Sequence, residues 1–324
     1  MSPSCPQRGH CPKTRLSKLQ ALIAESGVLG TTLHFPAVRV MERLAECDVL
    51  SVTSNTTAVL TSMGRPGAPQ IAGDPLRSET GRPCLRLHPQ SLGSVLAVER
   101  IPSCRKPYSL HVFDRDGAAV YEAYLTSFDD ALAYGPDISE ETGGLEGTAE
   151  AGAPWPGSMG WMPRTVAAAP ANIDAGYHFD SVLGDNGIGR RASLPSWGAG
   201  VAWQIPPARL VDFFAFMCDI RMPAGIAVGN AGLVHYHQGA LDALKASPRM
   251  LRISSKHSNV TISLPDVEEV WVSRVETRNG TDHLLEIYDW RYHCVAQFKA
   301  VADNEPLLRD VWRRQLCAIP HRSA

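Results

Sequence analysis

The sequence lacks an excess of charge of either sign, because 31 lysines and arginines are balanced by 33 aspartates and glutamates. Nucleic-acid-binding domains usually carry a strongly basic face. No apolar run approaches the ~18 residues that a membrane-spanning helix needs. Residues 1–15 also lack the apolar segment of a secretory signal. These absences predict a cytoplasmic protein that neither binds nucleic acid nor inserts into a membrane.

The common signatures of catalytic and metal sites are missing as well. No two of the eight cysteines form a CxxC pair, and no GxSxG, HExxH or P-loop motif occurs. The glycines of "GDNGIGR", residues 184–190, do not follow a convincing strand, which a dinucleotide site requires. His235 and His237 in "HYHQ" fall on the same face of a strand, but no third metal ligand is evident. We therefore predict structural roles for both histidines.

The chain does have regular apolar patterning. Hydrophobic residues make up 44% of the sequence, enough for a full core. Their spacing predicts helices over 16–26 and 37–46. Residues 49–64 are predicted to form two strands joined by a polar turn, and 91–100 and 108–125 three more, with "DRDG" as a hairpin turn. Antiparallel strands with helices segregated to one side predict an α+β fold.

Composition divides the chain near its middle. Residues 135–172 are rich in glycine, alanine, proline and acidic residues and show no sustained periodicity, which is typical of a linker. Residues 1–15 are polar and proline-rich, and we predict a disordered tail there. These boundaries leave a first repeat at 16–134 and a second repeat at 173–320.

The two halves align when the first is shifted forward by 175 residues. Asn55 then meets Asn230, Asp114 meets Asp289, and three blocks share this offset without a gap. A common register over three blocks indicates an internal duplication. We therefore expect two halves, each with a large antiparallel sheet and flanking helices, and a ligand cleft between them.

Three segments of the chain resemble those of a known family. "GIAVGNAGLVHYHQGAL" is similar to "VGNxGxxQIHxGP", and "SLHVFDRDGAAVYEAYL" is similar to "SLQFFDxxGxAVHKxYL". The C-terminal "LLEIYDWRYHCVAQFKAVADNEPLLRDVWRRQL" resembles "SLxLFDxxGxxIAQFFGxRxxGxxExxxWRxLL". These are segments of the hemin transport and hemin-degrading proteins, the HemS/HmuS/ChuS group, which share the duplication. The resemblance spans most of residues 16–317 outside the linker and identifies the chain as a divergent member.

The resemblance implies a cytoplasmic haem-binding protein of haem-iron uptake. Such proteins carry haem away from an importer, so that the expected partners are haem, the importer and a haem-accepting enzyme. Some members break haem down, which makes a haem-degrading enzyme the alternative. A further alternative is a scaffold or sensor that keeps the fold without binding haem.

Two neighbouring residues are candidates for the axial iron ligand that the resemblance implies. In the family, an axial histidine is followed thirteen residues later by an arginine that pairs with a haem propionate. Here Tyr177 has that spacing to Arg190, and His178 has it to Arg191. Imidazole and phenolate both ligate ferric haem. Adjacent helix positions point about 100° apart, so only one of the two side chains can face the iron.

Three arginines and one glutamine stand at positions where the resemblance implies haem-binding residues. The resemblance places the distal arginine at Arg86, in "CLRLHPQ", and places Gln297 with Arg190 and Arg191 among the residues that hold the propionates.

Several positions depart from the family pattern. Lys299 and Ala302 stand where the family has a tyrosine and an arginine near the propionates, and Val275 replaces a lysine. Gly225 and Ala227 replace two large apolar residues at the haem face, which predicts a thinner pocket wall. Since each lost charge-assisted bond costs about 1.5–3 kcal/mol, these departures favour the alternative without haem.

Overall fold

The structure is a computed structural model. It describes residues 18–24, 28–33, 36–71, 81–100, 108–126, 188–277, 280–301 and 305–321. The predicted tail at 1–15 and the predicted linker at 135–172 lie outside these residues, and so do the candidate ligands Tyr177 and His178.

Five α-helices are described. They are α1 Lys18–Ala24, α2 Ala37–Leu44, α3 Ile188–Ser193, α4 Arg209–Asp219 and α5 Pro306–Ala318. The two helices predicted near the start of the chain are confirmed as α1 and α2. The α2 helix buries Ala37, Val40, Met41 and Leu44, which share one helical face. None of the described helices has the length and apolar character needed to cross a membrane.

The described first half has eight strands. They are β1 Leu29–Leu33, β2 Val49–Ser54, β3 Ala58–Gly64, β4 Gln70–Ile71, β5 Cys84–Leu87, β6 Leu92–Arg100, β7 Ser109–Asp114 and β8 Ala119–Leu125. The five predicted strands are confirmed as β2, β3, β6, β7 and β8, whereas β1, β4 and β5 were not predicted. The burial of β2 alternates strictly along the strand, as expected of a sheet with one buried face.

The second half contributes nine strands to the described structure. They are β9 Ala202–Ile205, β10 Pro223–Gly229, β11 Leu233–Ala240, β12 Ala243–Ser247, β13 Met250–Ser255, β14 Ser258–Ser263, β15 Val267–Thr277, β16 Gly280–Asp289 and β17 Cys294–Ala300.

The strands form two large sheets, and each sheet takes strands from both halves. The first has nine strands in the order β1-β6-β7-β8-β2-β3-β14-β13-β12, and the second has eight in the order β4-β5-β11-β10-β17-β16-β15-β9. All pairings are antiparallel except that of β4 with β5. The predicted α+β fold is confirmed. The boundaries of the two repeats stay a prediction about the sequence, since they do not separate the sheets.

Two asparagines tie the halves together, and the first is Asn55, in the turn between β2 and β3. Its Oδ1 accepts hydrogen bonds from the backbone N–H groups of Thr57 and Ala58, at 3.0 and 2.8 Å. Its Nδ2 donates to the carbonyls of Gly229 and Val295 in the second half, at 2.9 and 2.8 Å. One side chain therefore closes its own turn and binds the other half.

The second asparagine, Asn230, makes the equivalent bonds in the opposite direction. Its Oδ1 accepts from the N–H groups of Gly232 and Leu233, at 3.1 and 3.2 Å. Its Nδ2 donates to the carbonyls of Ser54 and Val120, at 3.2 and 2.8 Å. The two carbonyls that Asn230 binds lie 175 residues before the two that Asn55 binds. The offset found in the sequence therefore also relates the hydrogen bonds.

The hairpin turns after β7 and β16 repeat at the same offset. Asp114 and Asp289 each accept two backbone N–H bonds within their own turn through Oδ1. Gly117 has a φ of 74°, and the residue at the equivalent position in the second half, Tyr292, has a φ of 63°. A side chain in this left-handed conformation is strained, so Tyr292 needs contacts that compensate.

His235 and His237 lie in the interior between the sheets. The Nε2 of His235 shares a hydrogen bond of 2.6 Å with the hydroxyl of Ser62 on β3. Burial, and secondarily His237, lowers the pKa of His235 to about 3. Burial, and secondarily His257, lowers the pKa of His237 to about 4. Both imidazoles are therefore neutral packing groups at neutral pH.

Replacing Asn55 by alanine should lower the free energy of unfolding by about 2–4 kcal/mol, because four hydrogen bonds are lost, two of them between the halves. Urea denaturation measures the change. The control is Asn259→Ala, which removes the acceptor of one hydrogen bond from Ser254 and should cost less than about 1 kcal/mol. Equal losses in the two variants would contradict the role given to Asn55.

His235→Gln should reduce the acid sensitivity of the fold. The imidazole of His235 has a pKa of about 6.5 in the unfolded chain and about 3 in the folded protein. Between these two pH values the unfolded chain binds a proton that the folded protein does not bind. Stability is therefore lost as the pH falls from about 6.5 towards 3. Between pH 7 and pH 5 the wild type should lose about 2 kcal/mol more than the variant. Urea denaturation at the two pH values measures this, and identical pH dependence would refute it.

Candidate functional site

The candidate site is one face of the eight-stranded sheet. Side chains alternate along each strand, so that Ile226, Ile287 and Phe298 join the hydrophobic core while their neighbours point the other way. Seven residues that point away from the core, one from each of the seven longest strands of the sheet, are paired from strand to strand and form one row. The row is Cys84, Tyr236, Ala227, Gln297, Glu286, Trp271 and Gln204. We call the surface that carries this row the site face.

Three residues predicted for the site lie on the site face, although the strand of Arg86 is four strands away from the strand that Arg190 contacts. Arg86, on β5, is 1% exposed and points to the same side as Cys84. Gln297 stands in the row itself and is 2% exposed. Arg190 reaches the face from α3, which covers β15 and β16. Residues more than 200 positions apart in the sequence therefore share one surface.

Arg190 is held in a buried polar network. Its Nε and Nη2 donate to the two carboxylate oxygens of Glu286, at 2.8 Å each, and Nη2 also donates to Ser273, at 3.0 Å. The hydroxyls of Ser273 and Tyr288 donate to Glu286 at 2.5 and 2.7 Å. Burial opposes the charge on Arg190, but Glu286 outweighs it and raises the pKa of the guanidinium. Every oxygen of the carboxylate is satisfied, as a buried charge requires.

Arg191 forms a second, more exposed ion pair at the edge of the site face. Its Nε and Nη2 donate to the carboxylate of Glu269, at 2.8 and 2.5 Å, and Trp271 Nε1 donates to the same carboxylate at 2.8 Å. The guanidinium lies over the ring of Tyr292, 4.5 Å from its centre. This cation–π contact compensates for the left-handed backbone at Tyr292 and links the hairpin turn to α3.

The space above Gly225 is occupied by Tyr236 from the neighbouring strand. A Cβ placed on Gly225 would lie 2.2 Å from the Tyr236 hydroxyl, so that only glycine fits beneath this ring. The hydroxyl donates to Gln238 Oε1 at 3.3 Å. The sequence predicted a thinner wall at this position, and that expectation is wrong for Gly225 because Tyr236 supplies the missing bulk.

Two cysteines lie on the site face, and both are protonated at neutral pH. Burial raises the pKa of Cys84 to about 11, although the charge of Arg86 opposes the shift. Burial, with Glu286 adding to it, also raises the pKa of Cys294 well above its ordinary value. Since metals bind the thiolate, neither side chain is suited to ligate iron. The described residues contain no group of three or more histidine, cysteine or acidic side chains arranged for a metal ion.

The sequence did not predict the acidic side of this site. Glu286, Glu269, Ser273 and Tyr288 were not expected to contribute. A signal for Glu286 does exist in "LLEIYD", where a charged residue interrupts an apolar strand. Such a residue on a covered face of a sheet must have a buried partner. Its partner, Arg190, is 96 positions away, so that only the fold identifies the pair.

The cleft expected between the halves is a separate feature. A cavity of about 610 Å³ lies where the turns of the two halves meet, and residues of both halves line it. They include Asn55, Asp114, Asn230, Asp289 and His293. Arg86, Arg190, Arg191 and Gln297 are not among its lining residues, so the predicted binding groups belong to the site face.

A family model matches part of the chain. The family model described as the haemin-degrading HemS.ChuX domain matches residues 187–316. This range covers α3, the site face from β9 to β17 and most of α5. Two curated proteins match over most of the chain. Hemin transport protein HemS of Yersinia enterocolitica is 22% identical over 280 residues, 85% of this chain and 81% of its own length. Hemin transport protein HmuS of Yersinia pestis is 21% identical over 281 residues, with 84% and 80% covered.

Solved structures with the same fold include apo-PhuS, described as a heme-binding protein from Pseudomonas aeruginosa. Its TM-score is 0.69 at 20% identity, and the match covers 90% of this chain and 87% of that one. ChuS, described as a heme-degrading enzyme from Escherichia coli O157:H7, has a TM-score of 0.72 at 16% identity, covering 90% and 86%. At these identities the two structures establish the shared fold.

Arg190→Gln should destabilise the fold far more than Arg191→Gln. The first leaves Glu286 buried without its cation, which typically costs about 3–5 kcal/mol. The second breaks a partly solvated pair and should cost about 1 kcal/mol or less. Urea denaturation of both variants measures the difference.

The double variant Arg190→Gln with Glu286→Gln serves as the control, because it removes the orphaned charge. It should recover part of the stability that Arg190→Gln loses. Similar losses for the two single variants, or no recovery in the double variant, would show that the network is not held by its central ion pair.

Proposed function

Since this chain is a divergent, HemS-like member of the hemin transport and degradation family, we propose that it binds haem on the site face as a cargo. The observation that carries the proposal is that Arg86 and Gln297 lie on one covered face, against which Arg190 holds the helix that carries Arg191. Haem has a flat apolar body and two carboxylates at one edge. The site face carries the aromatic and aliphatic side chains of Tyr236, Ala227 and Trp271, which are buried, with arginines at its margins.

The two arginines of α3 have different roles in this proposal. Arg190 and Glu286 are 6% and 0% exposed in their side chains, whereas Arg191 and Glu269 are 27% and 10% exposed. Displacing a carboxylate from a buried, fully bonded pair costs more than displacing it from a solvated one. A haem propionate would therefore exchange with Glu269 at Arg191, while Arg190 holds α3 against the sheet.

The iron would be ligated by His178 or Tyr177, with Arg86 on the opposite side. Imidazole binds ferric iron without losing a proton, whereas a phenol with a free pKa of about 10 must ionise first. The described cysteines are poor competitors, since burial keeps the thiols of Cys84 and Cys294 protonated. The segment before Ile188, where α3 begins, would carry the ligand.

The proposed role is trafficking of haem in the cytoplasm, from an importer to a haem-accepting enzyme. Haem degradation is the second candidate, because the matching family model is described as haemin-degrading. Ring opening needs external electrons and oxygen, and Arg86 would then supply a hydrogen-bond donor beside the haem. A tyrosinate ligand lowers the reduction potential of the iron and therefore opposes ring opening. The identity of the iron ligand thus also helps to distinguish trafficking from degradation.

A scaffold without haem is the third candidate, and two observations favour it. Tyr236 fills the space above Gly225, and Glu286 already neutralises Arg190. A haem that docks on this face would therefore contact a more polar and more crowded surface than it would in an open apolar pocket. The proposal of haem binding is accordingly decided by titration.

Ferric haem titration of the wild type should give a saturable one-to-one complex with a shifted Soret band. Either His178→Ala or Tyr177→Phe, but not both, should alter the Soret and charge-transfer bands and so name the ligand. Arg191→Gln should weaken binding about tenfold or more, because a charge-assisted bond to a propionate is lost. Bleaching with a reductant in the presence of catalase would indicate degradation rather than carriage.

Arg252→Gln is the matched control, since Arg252 is an exposed arginine on β13 in the other sheet. It should bind haem as the wild type does. If the wild type shows no saturable complex, haem binding is refuted. The scaffold without haem is then the candidate function that remains. If Arg252→Gln weakens binding as much as Arg191→Gln, haem is attracted by general charge and the site face is not its binding surface.

A further inference from the structure

A second cavity lies on the opposite side of the eight-stranded sheet from the site face. It measures about 440 Å³ and is bounded by β9, β15, β16 and the C-terminal helix α5. Arg274 and His283 are direct partners across β15 and β16, and both point into it, since their neighbours Ser273 and Leu284 belong to the site-face side. None of the described haem candidates lines this cavity.

The charged side chains that line the cavity are of one sign. Arg274 enters from β15 and Arg313 from α5, with His283 and His321 between them. Among the described residues that line it, none is acidic. Burial first, and then the charges of Arg313 and Arg274, lowers the pKa of His283 to about 4. The charged groups that line the cavity are therefore cationic, and the carboxylates that pair with them, Glu276 and Asp310, do not line it.

Both guanidiniums keep donors for a ligand. Arg313 uses Nε and Nη2 on one oxygen of Asp310, and Arg274 uses Nε and Nη2 on one oxygen of Glu276. A guanidinium has five N–H donors, so each arginine has further N–H groups for a second acceptor. Paired guanidiniums are the arrangement that suits phosphate and carboxylate groups.

The wall of the cavity is aromatic. His321 stacks on Trp203 with ring centres 5.6 Å apart and an angle of 21° between the planes. His283 meets the same indole edge to face at 6.1 Å. Trp203 is 7% exposed, and its indole Nε1 has no hydrogen-bond partner among the described residues. Since Nε1 itself is shielded from solvent, the indole contributes ring surface and not an N–H donor to the cavity.

We propose that this cavity binds a small organic oxyanion, a phosphate or a carboxylate attached to a planar ring. Arg274 and Arg313 would hold the anionic group, and the Trp203–His321 stack would pack against the ring. The volume lies within the range of about 300–1,000 Å³ that is usual for small-molecule sites and exceeds the needs of a bare inorganic anion. The site does not depend on haem binding, because it lies on the other side of the sheet.

Isothermal titration of the full chain without haem tests the site with four probes. Phenyl phosphate and inorganic phosphate form one pair, and benzoate and acetate form the other. Each ring-bearing probe should bind about tenfold or more tightly than its partner if the aromatic wall contributes. The preferred anionic group, phosphate or carboxylate, follows from comparing the two pairs.

Arg313→Gln and Arg274→Gln should each weaken the binding of the tightest-binding probe by about tenfold or more. The matched control is Arg209→Gln, because Arg209 also pairs with a carboxylate three residues away on a helix, Asp212, and lies outside the cavity. It should bind as the wild type does. Circular dichroism checks that each variant is folded, and Arg274, on a different element, gives an independent test if Arg313→Gln does not fold.

Three outcomes would overturn the proposal. The first is the absence of saturation by all four probes up to about 10 mM, tenfold above a weak millimolar site. The second is equal weakening by Arg209→Gln and Arg313→Gln, which would indicate general charge attraction. The third is unchanged binding in both cavity variants, which would place the bound probe elsewhere. Loss of haem binding in the titration described above would not affect any of these results.

Discussion

The reciprocal bonds of Asn55 and Asn230 are the constraint on which the rest of the structure depends. Each amide closes a hairpin turn in its own half and satisfies two carbonyls of the other half. Strands β5 and β14 then cross to the opposite sheets. The halves therefore fold against one another rather than as separate domains. The site face exists only in this joined state, since Arg86 comes from one half and Gln297 from the other.

The buried ion pair of the site face carries a cost in stability. Glu286 and Arg190 are removed from water and must satisfy one another, which they do with Ser273 and Tyr288. Such a pair contributes little net stability compared with apolar packing but is very costly to break. Its value here is positional, because it fixes α3 on the sheet. Arg191, on the next position of the same helix, is then presented at a solvated edge.

The two faces of the eight-stranded sheet have opposite chemistry. One carries acids paired with arginines under α3, and the other carries arginines and histidines that line a cavity under α5. Period-two alternation produces this division, since Ser273 and Arg274 are adjacent in sequence and point to opposite sides. The two faces of this one sheet therefore present different sets of side chains.

The sequence by itself determined the fold class, the early helices and strands, and the offset of 175 residues, because these follow from local periodicity and from similarity along the chain. It also singled out Arg86, Arg190 and Gln297, which the fold brings to one face. It did not show that Glu286 neutralises Arg190, nor that Tyr236 fills the space above Gly225. Those contacts join distant strands and depend on register across the sheet. Only the tertiary structure decides them, since a side chain's partner is set by which strands lie side by side and not by its own neighbours in sequence.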